Sequence, residues 1–328
     1  MKAITYDRYG PPEVLQVREV PDPVAKGDQI LVRVRAAEAT KSDCELRAFR
    51  FPIKWFWLPL RLAIGVFRPR NRILGGYFAG EVMAVGQDAE GFAVGDEVYG
   101  AAGLGLGCYG ELVALPAKAS VVRKPSNMSF AEAAAVPLGG LNALHFLRLA
   151  ELRAGESVLV LGAGGSIGLH GVQIAKALGA EVTGVDKAAK EDLVRRHGAD
   201  HFIDYQREDL ADRGVRYDVV FDMVPGAPLV DRLRVMADDG RYVTGNPSLP
   251  VMLRCLWTTW TSRRTASFAF AKETREELDA LREMIEAGQI RSIVDEVLPQ
   301  ERAAEAHRRV EDESRLGALV IAVSRTDR

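Results

Sequence analysis

Cysteine is scarce in this chain, with three in 328 residues: Cys44, Cys108 and Cys255. No two of them fall in a CxxC pair, which excludes a disulfide framework and a cysteine-rich structural zinc lobe. Long hydrophobic runs are missing too. No apolar stretch reaches the roughly 18 residues of a spanning helix. The opening MKAITYDRYG has no apolar core of a secretory leader, so the expectation is a cytoplasmic protein. Charge of one sign is also lacking. Lys and Arg number 43 against 45 Asp and Glu, a net charge of −2, so no global field draws the chain to nucleic acid or membrane. The five histidines are scattered, and His145, His170 and His307 fall in helical patterns where a structural role is the plain reading.

What is present is ordinary soluble-protein composition, 48% hydrophobic and 27% charged. The length predicts two domains. The first 125 residues carry short strands such as AITYD, LQVREV and QILVRVRAA between Gly/Pro turns, the pattern of a small barrel-like β domain. Near Pro125 the texture changes. Ser129 with Glu132 three residues on is a capping box that opens an Ala-rich helical stretch. Strands and helices then alternate through SVLVLGAGG, GLHGVQIAKALGA, EVTGVD, AKEDLVRRHGAD, HFIDY, YDVVFDMV, RYVTG and SFAFA. That alternation predicts an α/β doubly wound parallel sheet. The tail, from the amphipathic ETREELDALREMIEAGQI to ALVIAV, is expected to return to the first domain. The expected division is therefore 1–125 with 272–328, a discontinuous domain, and 126–271.

The strongest local motif is Gly162-Ala163-Gly164-Gly165-Ser166-Ile167-Gly168, between a strand and a helix. Glycines let a backbone turn tightly and approach a pyrophosphate, whose charge meets the helix N-terminus. The spacing is GxGxxxG rather than GxGxxG. The alternative is a tight β-α turn with no ligand, and the βαβ context weighs against it. Asp186 ends the next strand, 24 residues after Gly162. A carboxylate there favours a ribose 2′-hydroxyl, hence NADH, and repels a 2′-phosphate. Lys187, Lys190, Arg195 and Arg196 pull the other way, toward NADPH, or simply form a solvated helix start. The balance leans to NADH.

An ordered set of stretches now matters: KAITYDRYGPPEVLQV, GDQILVRVRAAEATKSDCELR, ILGGYFAGEVMAVG, FAVGDEVYG, AEAAAVPLGGLNAL, VLVLGAGGSIGLHGVQIAKALGAEVTGVD, HGADHFIDY, YDVVFDMV and ERAAEAHRRVEDESRLGALVIAV. Together they resemble the medium-chain dehydrogenase/reductase superfamily, in its zinc-independent quinone-oxidoreductase-like branch, over nearly the whole chain. The resemblance implies a GroES-like catalytic domain, a Rossmann cofactor domain and a cleft between them. Zinc alcohol dehydrogenases of this superfamily carry a cysteine where this chain has Thr40, and a Gly-His-Glu run where it has Gly75-Gly76-Tyr77. A catalytic zinc wants three protein ligands, so no metal is expected, and Cys44 reads as a small buried hydrophobe. Without a Lewis acid, the expected chemistry is hydride transfer from NAD(P)H to a quinone or α,β-unsaturated carbonyl.

The resemblance places the Thr40–Asp43 loop beside the nicotinamide, where a hydroxyl can donate to an acceptor oxygen. The alternative is a local turn in which Asp43 or Ser42 caps the helix that follows. It places Tyr77 at a position next to the lost metal, and Asn142 near the cofactor; Tyr109 is a further cleft candidate. Each reads alternatively as packing.

Two segments stand apart. From Arg47 to Arg72 there are seven basic residues and no acid, around WFWLPLRLAIGVF. PVMLRCLWTTWTSRR is similar, and the two hold all four tryptophans: Trp55, Trp57, Trp257 and Trp260. They suit the mouth of an apolar substrate channel with weak peripheral membrane contact, or else packing against each other or a dimer contact. A small apolar substrate and a homodimer, paired along SFAFA, are the expected partners, with no nucleic acid. A non-catalytic nucleotide-sensing or membrane-associated interaction protein on the same fold is the alternative.

Overall fold

The computed structural model describes residues 1–51, 57–226, 229–246 and 248–324. Lys54 and Trp55 lie outside them. In chain order the elements are β1 (Lys2–Thr5), β2 (Gln16–Glu19), β3 (Gln29–Ala39), α1 (Lys41–Ala48), α2 (Trp57–Ile64), β4 (Tyr77–Val85), β5 (Glu97–Ala101), β6 (Leu112–Pro116), β7 (Ser120–Arg123) and α3 (Phe130–Ala134). Then come α4 (Pro137–Leu149), β8 (Ser157–Leu161), α5 (Ser166–Ala177), β9 (Glu181–Asp186), α6 (Glu191–Arg196), β10 (His201–Asp204), β11 (Tyr217–Asp222), α7 (Leu229–Arg234), β12 (Met236–Thr244), α8 (Leu249–Thr261) and β13 (Thr265–Phe268). The tail adds α9 (Arg275–Glu286), β14 (Val294–Pro299), α10 (Ala303–Glu311) and β15 (Ala318–Ala322). No helix among the described residues is long and apolar enough to cross a membrane.

The chain divides into two compact units. The first comprises Met1–Leu138, Thr274–Glu286 and Ser292–Arg328, and the second Gly139–Glu273 and Ala287–Arg291.

In the first unit the main sheet runs β14-β15-β3-β4-β5-β7, with β6 pairing Gln29–Arg33 of β3 on the edge that β15 takes at Ala36–Ala39. The eleven-residue β3 can serve three neighbours because it bends: its register with β4 shifts between Leu31 and Val32 and again between Val34 and Ala36. Such bulges sharpen twist and curl a sheet toward closure. Ile30, Val32 and Val34 alternate into a core that also buries Phe78, Val98, Leu298, Leu319 and Ile321. The C-terminal β15 pairs antiparallel with β3, Ile321 opposite Ala37. The tail thus completes the sheet that β3 begins, while β1 and β2 pair in a separate two-stranded sheet.

In the second unit the described strands form one parallel sheet ordered β10-β9-β8-β11-β12-β13. Starting from its central strand β8, the chain winds outward to β10 on one side, then back and out to β13 on the other. This is the doubly wound dinucleotide-binding order, and its switch point lies between β8 and β11, at their carboxyl ends. Residues 158–161 of β8 and 182–185 of β9 are buried, which is why both read as continuous apolar runs rather than alternating ones. The expected α/β class, a mixed β-rich sheet plus a parallel sheet, is what the structure has.

Candidate active site

In the second unit the glycine turn leaves β8 at the switch point. Gly162 sits at φ +70°, and the amides of Gly162 and Ala163 both reach the Val185 carbonyl, at 3.0 Å each. A Cβ on Gly168 would lie 2.1 Å from the Gly162 carbonyl oxygen, so only glycine lets α5 start this close to the strand. Gly165 is the N-cap of α5. The first amides of any helix have no partner within it and point outward. Here they belong to Ser166, Ile167 and Gly168. The Ser166 hydroxyl is buried without a hydrogen-bond partner among the described residues.

Asp186, at the end of β9, is buried and turned onto the glycine turn. Its Oδ2 accepts from the Gly164 amide at 2.8 Å, and its Oδ1 from the Lys187 amide at 2.8 Å. Lys190 lies 3.8 Å from Oδ1, and its stem covers Gly164, where a Cβ would meet it at 2.4 Å. Arg195 and Arg196 are occupied on α6, by the Glu191 carboxylate and the Asp192 carbonyl. Asn142 is half-buried on α4. On that helix Gly139 lies so close to α5 that a Cβ would meet His170 at 2.3 Å and Ser166 Oγ at 2.8 Å. His170 is buried, which pushes its pKa down, and it bonds the Ser166 carbonyl at 2.8 Å. Turn, acid and helix start therefore form one cradle, and it fits a dinucleotide. Glycines clear the approach, outward amides face it, and the buried Ser166 hydroxyl at the helix start has no hydrogen-bond partner among the described residues.

A second acid at the same sheet edge is absent from the sequence reading. Asp222 ends β11, buried, with Tyr242 Oη at 3.1 Å, the Val224 amide at 3.0 Å and Arg232 Nε at 3.4 Å. Burial raises its pKa, and Arg232 opposes that. The signal was available, since YDVVFD ends in an acid just as EVTGVD does.

In the first unit Thr40 caps α1, and Asp43 returns the bond. The Asp43 amide donates to Thr40 Oγ1 at 3.1 Å, while the Thr40 amide and hydroxyl donate to Asp43 Oδ2 at 3.2 and 2.6 Å. This capping box corrects the expected cap, which is Thr40 rather than Ser42 or Asp43. The Gly75 amide donates to Asp43 Oδ1 at 3.0 Å, and the Tyr109 hydroxyl also bonds this carboxylate. Tyr109 Oη lies 3.0 Å from His307 Nε2. The Tyr109 hydroxyl has one proton; given to the Asp43 carboxyl oxygen, it leaves Tyr109 Oη to accept from His307 Nε2. Thr40, Asp43, Tyr109 and His307 are all at most 1% exposed. Burial lowers the His307 pKa to about 3 and raises that of Asp43 against the pull of its donors. Gly75, at φ +93°, permits the contact, because a Cβ there would lie 2.7 Å from the Tyr109 nitrogen.

Beside this network Arg47 is wholly buried and ion-paired with Glu311 of α10. Cys44 is buried as expected; burial pushes its thiol up, and it bonds the His307 carbonyl at 3.6 Å. Tyr77 is half-buried at the start of β4, opposite Ala101. Sequence reasoning brought Thr40, Asp43 and Tyr77 forward but missed that Tyr109 and His307 join Asp43. Among the described residues no group of three or more His, Cys, Asp or Glu could hold a metal ion.

A parallel sheet in the dinucleotide-binding order, with a glycine turn and an acid at its switch point, shares this chain with a β-rich unit, the pairing found in a class of oxidoreductases. Residues 26–126 match the alcohol dehydrogenase GroES-like domain family, and residues 197–321 the zinc-binding dehydrogenase family. Quinone oxidoreductase of Pseudomonas aeruginosa is 35% identical, over 98% of this chain and 99% of that protein. The chloroplastic NADPH-dependent alkenal/one oxidoreductase of Arabidopsis thaliana is 30% identical, over 98% of this chain and 79% of its own length. The solved quinone oxidoreductase of Coxiella burnetii superposes with a TM-score of 0.88 at 27% identity, covering 99% of both chains. The chain belongs to the medium-chain dehydrogenase/reductase superfamily, in its quinone-oxidoreductase-like branch, and is a reductase of that type.

Proposed function

We propose that this protein reduces a quinone or an α,β-unsaturated carbonyl with hydride from NAD(P)H and uses no metal. The observation that carries the reading is the preset cradle: Asp186 holding the Gly164 amide at 2.8 Å beside the unpaired buried Ser166 hydroxyl. Gly162, Gly164, Gly165, Ser166, Ile167 and Gly168 would hold the pyrophosphate, and Asp186 the adenine-side ribose. Asn142, Lys187 and Lys190 would complete the cofactor surface. When bound, the cofactor supplies the hydride. Residues 126–271 then serve the cofactor, and 1–125 with 272–328 the acceptor.

Metal independence is supported by the ligand set. The superfamily's zinc ligand positions hold Thr40 and Gly76. A metal-free site is suited to acceptors that are already electrophilic, since nothing in it acidifies a plain alcohol. For the proton, the Thr40–Asp43 couple offers a route. Burial raises the Asp43 pKa, and a proton taken up by Asp43 can pass along its 2.6 Å bond to Thr40 as the Thr40 hydroxyl gives its own to the acceptor oxygen. The half-buried Tyr77 phenol is the second candidate donor.

Asp186 argues for NADH over NADPH, even with Lys190 partly neutralising it. A homodimer paired along the outer strand β13 is part of the proposal. Its check is the mass by sedimentation, and a monomer would remove it.

The test is cofactor oxidation by EDTA-treated protein, with NADH and NADPH offered separately against quinones and enones. Turnover with NADH preferred supports the whole reading, and Asp186→Ser then shifts preference toward NADPH. Activity lost to EDTA and restored by zinc ends the metal-free reading. Turnover of plain alcohols alone ends the acceptor reading.

A further inference from the structure

The second unit carries a feature the cofactor edge does not use. Helix α8 is attached through one side only. Cys255 and Thr258 are buried, and Thr259 Oγ1 accepts from the Ala266 amide at 2.9 Å, tying the helix to β13. Its other side bears Leu249, Leu253, Leu256, Trp257 and Trp260, which recur at helical spacing and are 48 to 80% exposed. At 1.5 Å per residue this apolar stripe is about 15–20 Å long. Soluble surfaces rarely leave such a stripe bare without a use.

Basic groups gather beside it. Arg216, Arg234 and Arg264 stand just before β11 and just before or beside β12 and β13, at the amino edge of the parallel sheet. With Arg254 of α8 they line an open depression of about 580 Å³. Arg216 and Arg264 are anchored on the carbonyls of Arg234, Met236 and Ala237. The carboxylates nearby are the exposed Asp231 and Asp238, each 3.5 Å from one guanidinium. Arg254 has no partner among the described residues. No acid occurs between Asp239 and Glu273. This edge is opposite the carboxyl edge that bears the glycine turn.

We propose that α8 and these four arginines form a docking face for an anionic phospholipid surface. Aromatic and leucine side chains settle at the level of the headgroups and upper chains, and guanidiniums meet the phosphates. A second copy of this chain is the weaker occupant. In a two-fold contact a patch meets itself, so the arginine clusters would be brought toward one another. An anionic bilayer answers both the stripe and the charge. The proposal does not depend on the reaction or on the cofactor.

The test is flotation of the intact protein with vesicles of phosphatidylcholine alone or mixed with phosphatidylglycerol, with tryptophan emission recorded in parallel. The expected result is binding to the mixed vesicles only, weakening as salt rises, with a blue shift. Each basic residue near the surface contributes about fivefold in partitioning, so Arg254→Glu lowers binding by about tenfold or more. Trp257→Ser with Trp260→Ser abolishes the blue shift. These side chains are exposed, so unchanged melting temperatures are expected. Equal binding to both vesicle types, or none, overturns the proposal. So does a dimer in which Trp257 is shielded from acrylamide before any lipid is added, which would seat a second copy on the stripe. Displacement by inorganic phosphate with no loss in the tryptophan variant would leave a free-anion site and overturn the lipid assignment.

Discussion

Around Asp43 the polar groups are mostly side chains, drawn from stretches as far apart as Thr40 and His307 and sealed from water. Around Gly164 they are mostly backbone amides of one short turn, held by a single carboxylate. A side-chain network in a dry core is held by mutual satisfaction, and each deleted partner leaves another exposed to the cost of burial without a bond. A backbone cradle is held by steric room instead. Its amides cannot be mutated away, but a single added carbon can close it. The first unit should therefore respond to lost charge and lost hydrogen bonds, and the second to added volume.

The largest break is expected in the second unit. Gly168→Val drives a branched side chain into the Gly162 carbonyl, where even a Cβ would sit at 2.1 Å. Overpacking of this kind costs about 3 kcal/mol or more. Cofactor binding, followed by NADH fluorescence, should vanish while the first unit's spectroscopic signals persist. Next is Glu311→Gln, which leaves the buried Arg47 without its counter-ion. Stranding a fully buried charge costs about 3–5 kcal/mol. Glu311 is itself about a third exposed, so a loss of about 2 kcal/mol is expected by denaturant titration.

Thr40→Val sharpens the comparison, because it removes the cap and the proposed proton route together. A lost cap costs about 1 kcal/mol of stability. If Thr40 also donates to the developing oxyanion, kcat falls by about 10²-fold with little change in KM. A purely capping role predicts the stability loss without the rate loss.

The mildest change at neutral pH is His307→Gln, with about 1 kcal/mol for the bond to Tyr109. Its signature is in acid. The folded pKa of His307, about 3, lies below the ordinary 6.5. Between those values the unfolded chain binds more protons, so stability falls as pH drops from 6.5 toward 3 and is unaffected by this group above 6.5. The variant should lose up to about 1.4 kcal/mol per pH unit of that slope. Asp43, with its raised pKa, acts with the opposite sign above its ordinary value, so the difference between the two profiles is the informative quantity. Parallel profiles would mean that His307 titrates normally.

What could be read from the sequence follows the same division. The cradle is contiguous, and Asp186 follows at a spacing set by one βαβ unit, so periodicity and glycine placement were enough to find it. The Ser129–Glu132 box is equally local and is present. Tyr109 and His307 are 198 positions apart. No local pattern pairs a tyrosine with a histidine, and only the return of the tail to β3 brings them together. The Thr40 cap is local as well, a hydroxyl followed three residues on by an acid. The basic and aromatic character of 249–264 was plain. That α8 turns its leucines and tryptophans outward was not, since periodicity gives the width of an apolar face and not its direction.

The pairing of β15 with β3 also sets a timetable. During synthesis β3 emerges long before its neighbour along Ala36–Ala39, which is made from residues 319–322. Until then the growing chain carries an open strand edge and half a core, while the parallel sheet, complete by residue 268, can already close. A ribosome stalled after the second unit would thus display a finished nucleotide cradle tethered to an unfinished partner, with β3 as the segment most in need of a chaperone.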